Sequence, residues 1–255
     1  MTEPVLVEKS GQLLVLTLNR PEKKNALTRG MYQTLATQII DANKDADIRC
    51  IMLQANGDMY TAGNDLADFA AINNGPAQEE FENPFLVALG VARKPLVAAV
   101  NGRAVGVGFT MLLHCDLVFV SEDALLTAPF VNLALVPEAA SSLLLPLRIG
   151  HVRTFEIFVL GEPVDAKKAV DWGIANRAVP PAELRQVARA AALAIAGRAS
   201  SSVLATKRLL RDETALRQRM SGENEQFLRQ LRSPEFKEAF SAFSERRAAD
   251  FSKFK

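Results

Sequence analysis

The sequence predicts an α/β fold with mostly buried strands, and three observations support this prediction. Short apolar runs of strand length alternate with helical patterns over the first 140 residues, which is typical of a largely parallel sheet covered by helices. Apolar residues make up 49% and charged residues 23% of the 255 residues, as in ordinary globular proteins. Beyond residue 140 strand patterns become rare and helical patterns dominate. A chain of this length forms one large domain or one domain with an appendage.

The N-terminal part of the chain predicts two strands, a helix and a third strand. The runs 5–8 and 13–18 are rich in β-forming residues and are separated by a Ser-Gly turn. Thr28 is a candidate N-cap of the helix, and the apolar face of this helix is formed by Met31, Leu35, Ile39 and Ile40. The apolar run 50–53 predicts the third strand.

The middle of the chain repeats the alternation of helix and strand. A helix is predicted over 84–91, followed by a buried strand over 96–100. The apolar run 106–115 indicates a buried helix, and two more strands are predicted over 117–120 and 124–126.

The remainder of the chain is predicted to be helical. Asp165 is the candidate N-cap of a short helix that stops at Gly173. Further helices are predicted over 181–196, 202–211, 213–231 and 233–247. The apolar faces of the last two are too wide for an isolated arm, so we expect them to pack on the main domain or on another subunit.

Charge and composition argue against several classes of protein. Lys and Arg number 30 against 29 Asp and Glu, and a nucleic-acid-binding protein usually has a basic domain or stripe. Cys50 and Cys115 lie in apolar runs, His114 and His151 are the two histidines, and metal-ligand spacings such as CxxC or HExxH do not occur. The N-terminus does not resemble a signal peptide, and no run of 18 uncharged apolar residues predicts a membrane span. We therefore expect a cytoplasmic protein without a metal, a nucleic-acid partner or a membrane span.

Two glycine-containing segments could present backbone N–H groups to a ligand. The first is 60–66, in which Gly63 permits an unusual turn that could bind an anion or oxyanion; an ordinary surface turn is the alternative. The second is 101–110, in which Gly106 and Gly108 open an apolar helix and could direct the N–H of Val107 at a ligand. Close packing of strand and helix is the alternative for this segment. Met111 replaces the third glycine of a dinucleotide fingerprint.

A third segment contains one carboxylate within an apolar run, Glu138 in 133–145. If Glu138 is buried, loss of hydration raises its pKa and allows it to accept and donate a proton near neutral pH. The alternative is a helix start, with Pro137 at the first helical position and Glu138 near the positive end of the helix dipole. The spacing alone leaves both interpretations open.

Taken together, these motifs resemble the crotonase, or enoyl-CoA hydratase/isomerase, superfamily over nearly the whole chain. They occur in family order at Asn19-Arg20-Pro21, Asn25-Ala26-Leu27, 62–66, 94–102, 106–108, Cys115-Asp116, 161–166 and 172–175. The resemblance implies a spiral of ββα repeats over 1–195 and a helical region over 196–255 that builds trimers, often stacked as hexamers. It also implies an acyl-CoA substrate, as in fatty acid metabolism, and no further cofactor because the substrate carries coenzyme A.

The resemblance assigns roles to individual residues. The backbone N–H groups of Asn64 and Val107 match the two donors of the family's oxyanion hole, where they would stabilise the charge on a thioester oxygen. Lys23 and Lys24 are plausible phosphate partners by charge. The acyl-CoA would contact Ala26, Ala62, Gly63, Asp65, Leu66, Gly106 and Phe130.

The departures from the family pattern point to the reaction. The two glutamates by which enoyl-CoA hydratases resemble one another match Thr110 and Phe130 here, and these side chains cannot activate water. Glu138 instead matches the single glutamate of the Δ3,Δ2-enoyl-CoA isomerase branch, in which one carboxylate moves a proton from C2 to C4. The alternatives are another crotonase reaction, such as weak hydration, or a non-catalytic relative that binds acyl-CoA or RNA.

Overall fold

The structure is a computed structural model that describes residues 3–65 and 82–254. The strands in these ranges are, in chain order, β1 (Val5–Ser10), β2 (Leu13–Leu18), β3 (Cys50–Ala55), β4 (Leu96–Val100), β5 (Arg103–Val105), β6 (Leu117–Ser121), β7 (Leu125–Thr127), β8 (Val164–Asp165) and β9 (Arg177–Val179). Six of them form one sheet in the order β1-β2-β3-β4-β6-β9, in which β1 and β2 are antiparallel and the other neighbours are parallel. The predicted α/β fold is confirmed.

The α-helices of the described residues follow the same numbering. They are α1 (Arg29–Lys44), α2 (Pro84–Gly90), α3 (Val107–Thr110), α4 (Ser141–Ile149), α5 (His151–Phe155), α6 (Ala166–Asp171), α7 (Leu184–Ala196), α8 (Ser200–Leu209), α9 (Glu213–Leu231) and α10 (Pro234–Ser244). Within the described residues no helix is both long enough and apolar enough to cross a bilayer.

The main sheet is covered on both faces because its strands are apolar on both sides. Leu14 and Leu16 of β2 belong to the larger core cluster, whereas Leu13 and Val15 belong to a second cluster. Helix α7 covers the second face with Leu184, Ala188, Ala192 and Ala196. Continuous apolar strands of this kind are expected in a parallel sheet that is buried on both faces.

A smaller sheet in the order β5-β7-β8 lies beside the candidate site. Strand β5 pairs with β7 in parallel, and the N–H of Gly106 donates to the carbonyl of Thr127 at 2.8 Å directly after β5 ends. Thr61 forms an isolated parallel bridge with Ala104 of β5. The small sheet therefore fixes the loops that precede and follow it.

The C-terminal helices pack on the core of the same chain. Leu216, Met220 and Leu231 of α9 and Phe236 of α10 belong to the larger core cluster. The prediction that these apolar faces require a packing surface is thereby confirmed. Phe243 of α10 remains 55% exposed, so the face is not fully covered within one chain.

The capping residues predicted from the sequence are confirmed. Thr28, Asp165 and Ser233 accept hydrogen bonds from backbone N–H groups three residues further on, at 3.3, 2.7 and 3.0 Å. Element boundaries differ by a few residues in several places, because helix ends depend on caps and packing as well as on periodicity. The helix predicted over 181–196 begins at Leu184, the one over 202–211 is Ser200–Leu209, and the one over 233–247 ends at Ser244.

Two predictions in the middle of the chain need revision. The run 106–115 is helical, but only Val107–Thr110 is α-helical, and Met111–His114 continues as a tighter 3₁₀ turn. Pro137 does not begin a helix, since α4 starts at Ser141 and residues 134–140 form a loop. The interpretation of Glu138 as part of a helix start is therefore wrong.

Candidate active site

The first glycine-containing segment is held by backbone hydrogen bonds on two sides. Thr61 exchanges bonds with β5, since its N–H donates to Arg103 at 3.1 Å and its carbonyl accepts from Val105 at 3.0 Å. On the other side, Leu27 donates to the Gly63 carbonyl at 2.8 Å and accepts from the Asp65 N–H at 3.0 Å. Within the described residues, these bonds leave the N–H of Asn64 without a carbonyl partner.

Glycine is required where this segment approaches the start of α3. Gly63 has φ +91°, and a Cβ at this position would lie 2.9 Å from the Val105 carbonyl oxygen. A Cβ at Gly108 would lie 2.3 Å from Cγ2 of Thr61. Both distances are too short for a side chain, so the glycines permit contact between the two backbones. The clearance proposed as an alternative for Gly108 is confirmed and brings the two segments together.

Val107 is the first residue of α3, where an N–H has no partner within the helix. The Gly106 carbonyl accepts from Phe109 and Thr110 at 2.9 and 3.0 Å, which holds the turn before the helix. Among the described residues, the backbone hydrogen bonds of this turn do not include the Val107 N–H. Asn64 and Val107 line the same cleft, and neither N–H group takes part in the backbone hydrogen bonds of its segment among the described residues.

The cleft has a volume of about 960 Å³, with an apolar wall and basic residues on its lining. Its lining includes the predicted contact residues Ala26, Ala62, Gly63, Asp65, Gly106 and Phe130. The lining cations are Arg20, Lys23, Lys24 and Arg247. Helices α9 and α10 contribute Phe227, Phe236, Phe240 and Phe243. The predicted contact at Leu66 lies outside the described residues.

Some of the charged groups in the cleft have partners within the chain. Arg20 donates to Asp65 at 3.1 Å and to the carbonyl of Ala26 at 2.8 Å. Lys24 pairs with Asp58 at 2.8 Å, and both side chains are exposed, so this pair contributes little to stability. The pair with Arg20 therefore ties Asp65 to the conformation of its loop.

Glu138 lies in the loop before α4, in a small cavity next to the cleft. This cavity of about 70 Å³ is lined by Glu138 and shares Asn64, Asp65 and Phe227 with the larger cleft. Oε1 of Glu138 is buried and has no hydrogen-bond partner among the described residues. Burial, followed by the negative charge of Glu223, raises the pKa of Glu138 to about 8. A carboxylate with this pKa can exchange a proton near neutral pH.

The turn that carries Glu138 is held by two side chains that sequence reasoning did not identify. Ala139 and Ala140 adopt left-handed conformations with φ of +63° and +54°, which are uncommon for residues with a Cβ. The carboxylate of Glu223 accepts from the N–H of Ala140 at 2.6 Å and from the N–H of Ser142 at 2.9 Å, and also from the Ser142 hydroxyl.

His114 contacts the same turn from the opposite side. Burial and the positive charge of Arg211 lower the pKa of His114 to about 3, so its imidazole is neutral at pH 7. Arg211 donates to Nδ1 at 2.7 Å, which leaves Nε2 to donate to the Ala139 carbonyl at 2.7 Å. The charge on Arg211 thereby fixes the tautomer of His114.

A sequence signal existed for Glu223 but not for His114. Glu223 follows Leu216 and Met220 at helical spacing on the buried face of α9, and an acid in such an apolar stripe is unusual. His114 lies within a uniformly apolar helix, where a histidine is usually a core residue.

The positions that carry glutamates in hydratases hold no carboxylate here. Thr110 is fully buried and its hydroxyl donates to the Val107 carbonyl at 3.5 Å. Phe130 is buried and packs edge-to-face on Phe158. Val136 lines a separate groove with Pro137. Within the described residues, no group of His, Cys, Asp or Glu side chains could hold a metal ion.

The comparisons with known proteins extend over the whole chain. The family model for enoyl-CoA hydratase/isomerase matches residues 8–254. A solved structure of an enoyl-CoA hydratase/isomerase from Pseudoalteromonas atlantica T6c is similar with a TM-score of 0.92 and 42% identity, covering 98% of this chain and 100% of that one. The spiral fold implied by the sequence motifs is thereby confirmed.

Curated relatives have different names within this family. The 1,2-epoxyphenylacetyl-CoA isomerase of Escherichia coli K12 is 30% identical over 98% of this chain and 99% of its own length. Enoyl-CoA delta isomerase 2 of Rattus norvegicus is 35% identical over 69% of this chain, which spans 46% of that longer protein. Both of these names are those of CoA isomerases, whereas a Rhodobacter capsulatus relative that is 32% identical over 96% of each chain is named a probable enoyl-CoA hydratase.

Proposed function

This chain belongs to the enoyl-CoA hydratase/isomerase family, and we propose that within it the protein moves the C3–C4 double bond of an enoyl-CoA to C2–C3. The thioester carbonyl accepts hydrogen bonds from the N–H groups of Asn64 and Val107, and the acyl chain passes Glu138. The proposal includes no cofactor besides the coenzyme A of the substrate, and a homotrimer or hexamer as the assembly.

The reaction needs one base and two donors. Glu138 removes a proton from C2, and the electrons of the C2–H bond form a dienolate whose negative charge develops on the thioester oxygen. The two N–H groups stabilise this charge. The protonated Glu138 then returns the proton to C4, which leaves the double bond between C2 and C3. Because both carbons lie on one face of the dienolate, one carboxyl group can reach them in turn.

The burial of the Glu138 carboxylate beside the cleft is the observation that carries the proposal. Its Oε1 is buried without a hydrogen-bond partner among the described residues, and the cavity around it shares Asn64 with the cleft of the donors. A buried carboxylate oxygen without a partner costs stability, and such a cost is expected where the group serves a reaction.

Hydration is the second candidate, and the contacts of the neighbouring carboxylate disfavour it. Adding water to an enoyl-CoA needs a positioned water and a proton donor. Glu223 is the acid whose charge acts on Glu138, but both of its oxygens already accept hydrogen bonds from Ala140 or Ser142. We therefore place hydration below isomerisation.

The substitution Glu138→Gln tests the proposal. Because the amide cannot act as a base, we expect turnover of 3-hexenoyl-CoA to 2-hexenoyl-CoA to fall at least about 1000-fold, with binding of the thioester nearly unchanged. The appearance of the conjugated enoyl thioester is followed by its ultraviolet absorbance. Glu122→Gln, at an exposed turn, is the control. Turnover retained by the Glu138 variant would contradict the assignment.

A further inference from the structure

Glu223 is a buried acid for which the proposed reaction has no use. It lies on α9 with 7% of its surface exposed, 83 residues from Ala140 along the chain. Its carboxylate accepts hydrogen bonds from the N–H of Ala140, in the turn after Glu138, and from the N–H and hydroxyl of Ser142, in the first turn of α4. Burying a carboxylate is costly unless hydrogen bonds compensate for its lost hydration, and these three donors supply that compensation.

We infer that Glu223 is a positioning residue for Glu138, which it acts on by clamping the turn that carries the acid and by facing it with a negative charge. This inference rests on the proposed function. It assigns to α9 a role in the reaction besides lining the cleft, since the helix then determines where the base lies and when it is ionised.

The clamp acts on a strained stretch of backbone. Ala139 and Ala140 both adopt positive φ, and conformations of this kind are strained for a residue with a Cβ and persist only where the surroundings impose them. The bond from the Ala140 N–H to Glu223 lies within this stretch, and the Ser142 N–H anchors the first turn of α4 to the same carboxylate. Glu138 directly precedes the strained pair, so its position depends on the clamp.

The charge of Glu223 acts in the same small cavity. Both Glu138 and Glu223 line it, and the Coulomb repulsion between them adds to burial in raising the pKa of Glu138. Burial also raises the pKa of Glu223, while its bonds to Ser142 and Ala140 and the charge of Arg219 oppose that rise. In the part of the chain that the structure describes, the other titratable or charged groups that line this cavity are Arg29 and Tyr32 of α1, Asp65 and Glu82, and His114 contacts the turn through the Ala139 carbonyl.

The variant Glu223→Gln separates the charge from the shape of the side chain. Glutamine retains one acceptor oxygen for the turn but removes the negative charge. We expect the ionisation of Glu138 to shift to lower pH by about one unit, with kcat at high pH reduced by less than about tenfold. Two measurements follow this shift: the pH profile of kcat/KM for 3-hexenoyl-CoA, and a ¹³C titration of glutamate-labelled protein in which Glu138→Gln identifies the resonance.

Glu223→Ala removes the clamp as well as the charge, and we expect kcat to fall about 100-fold because the base is displaced. Glu225→Gln is the matched control, since Glu225 lies on the same helix in an exposed pair with Arg229; we expect wild-type values.

An unchanged Glu138 titration in Glu223→Gln, or wild-type kcat in a folded Glu223→Ala, overturns the inference. Absence of turnover in the wild type would refute the proposed function, while the ¹³C titration still decides the role of Glu223.

Discussion

The two proposed oxyanion donors line the cleft and the proposed base lines the small cavity next to it, and different parts of the chain hold them. The segments of Asn64 and Val107 are fixed by backbone bonds to adjacent strands and by the absence of side chains at Gly63 and Gly108. The turn of Glu138 is fixed by side chains of His114 and Glu223, which are 25 and 83 residues away from the backbone groups they bind.

The proposed donors and the proposed base therefore depend on different features of the structure. Backbone donors need only the correct path of the main chain, so the side chains of Asn64 and Val107 take no direct part in the proposed reaction. A carboxyl base needs a defined side-chain position and a defined pKa, and both depend on its neighbours. We therefore expect substitutions on the donor side to act through backbone geometry, and those on the acid side through position and ionisation.

Among the substitutions that leave Glu138 in place, the largest effect is expected on the donor side, from Gly63→Ala. The new Cβ would lie 2.9 Å from the Val105 carbonyl oxygen at φ +91°, so the segment must move and take the Asn64 N–H with it. Loss of one oxyanion donor lowers kcat by about 100- to 1000-fold. Steady-state kinetics with 3-hexenoyl-CoA measure this loss. Gly11→Ala is the control, because its φ is +58° but a Cβ meets nothing within 4 Å.

A smaller effect is expected on the acid side, from His114→Leu. This variant leaves the Ala139 carbonyl and Arg211 without their imidazole partner, at a cost of about 1–3 kcal/mol in the free energy of unfolding. We expect kcat to fall about ten- to hundredfold as the turn relaxes. Urea unfolding and kinetics report the two effects separately.

His114→Gln supplies the comparison for this prediction, because its amide can donate to Ala139 and accept from Arg211. It should recover part of both losses. If His114→Leu retained wild-type kcat, Glu138 would not depend on the contact between His114 and the Ala139 carbonyl.

The contrast between the two sides also explains what the sequence could predict. The order of strands and helices, the capping residues Thr28 and Asp165, and the glycine turns are local features, and the structure confirms them. The left-handed Ala139 and Ala140 could not be predicted, since alanine gives no sign of positive φ. The Glu138 oxygen that has no hydrogen-bond partner among the described residues depends on contacts that no local pattern encodes.

The short strands β8 and β9 were not predicted for a related reason. Two or three residues give no measurable alternation, and Val164–Asp165 and Arg177–Val179 exist as strands only because a sheet edge is present to receive them. The start of α4 at Ser141 was misjudged because Pro137 has the properties of a first helical residue. In this region long-range contacts decide the conformation.

The smallest effect concerns ionisation alone and requires no substitution in the enzyme. Because burial raises the pKa of Glu138 to about 8 and only the ionised form accepts a proton, kcat/KM should rise about tenfold between pH 7 and 9 and level off above. Over the range from its ordinary pKa to about 8, folded Glu138 retains a proton that the unfolded chain has lost. The free energy of unfolding contributed by this group therefore falls as pH rises through that range. Activity and stability should thus change in opposite directions, and Glu138→Gln should remove this component of the pH dependence of stability. A profile of kcat/KM that is flat from pH 6 to 9 would show that the base titrates elsewhere.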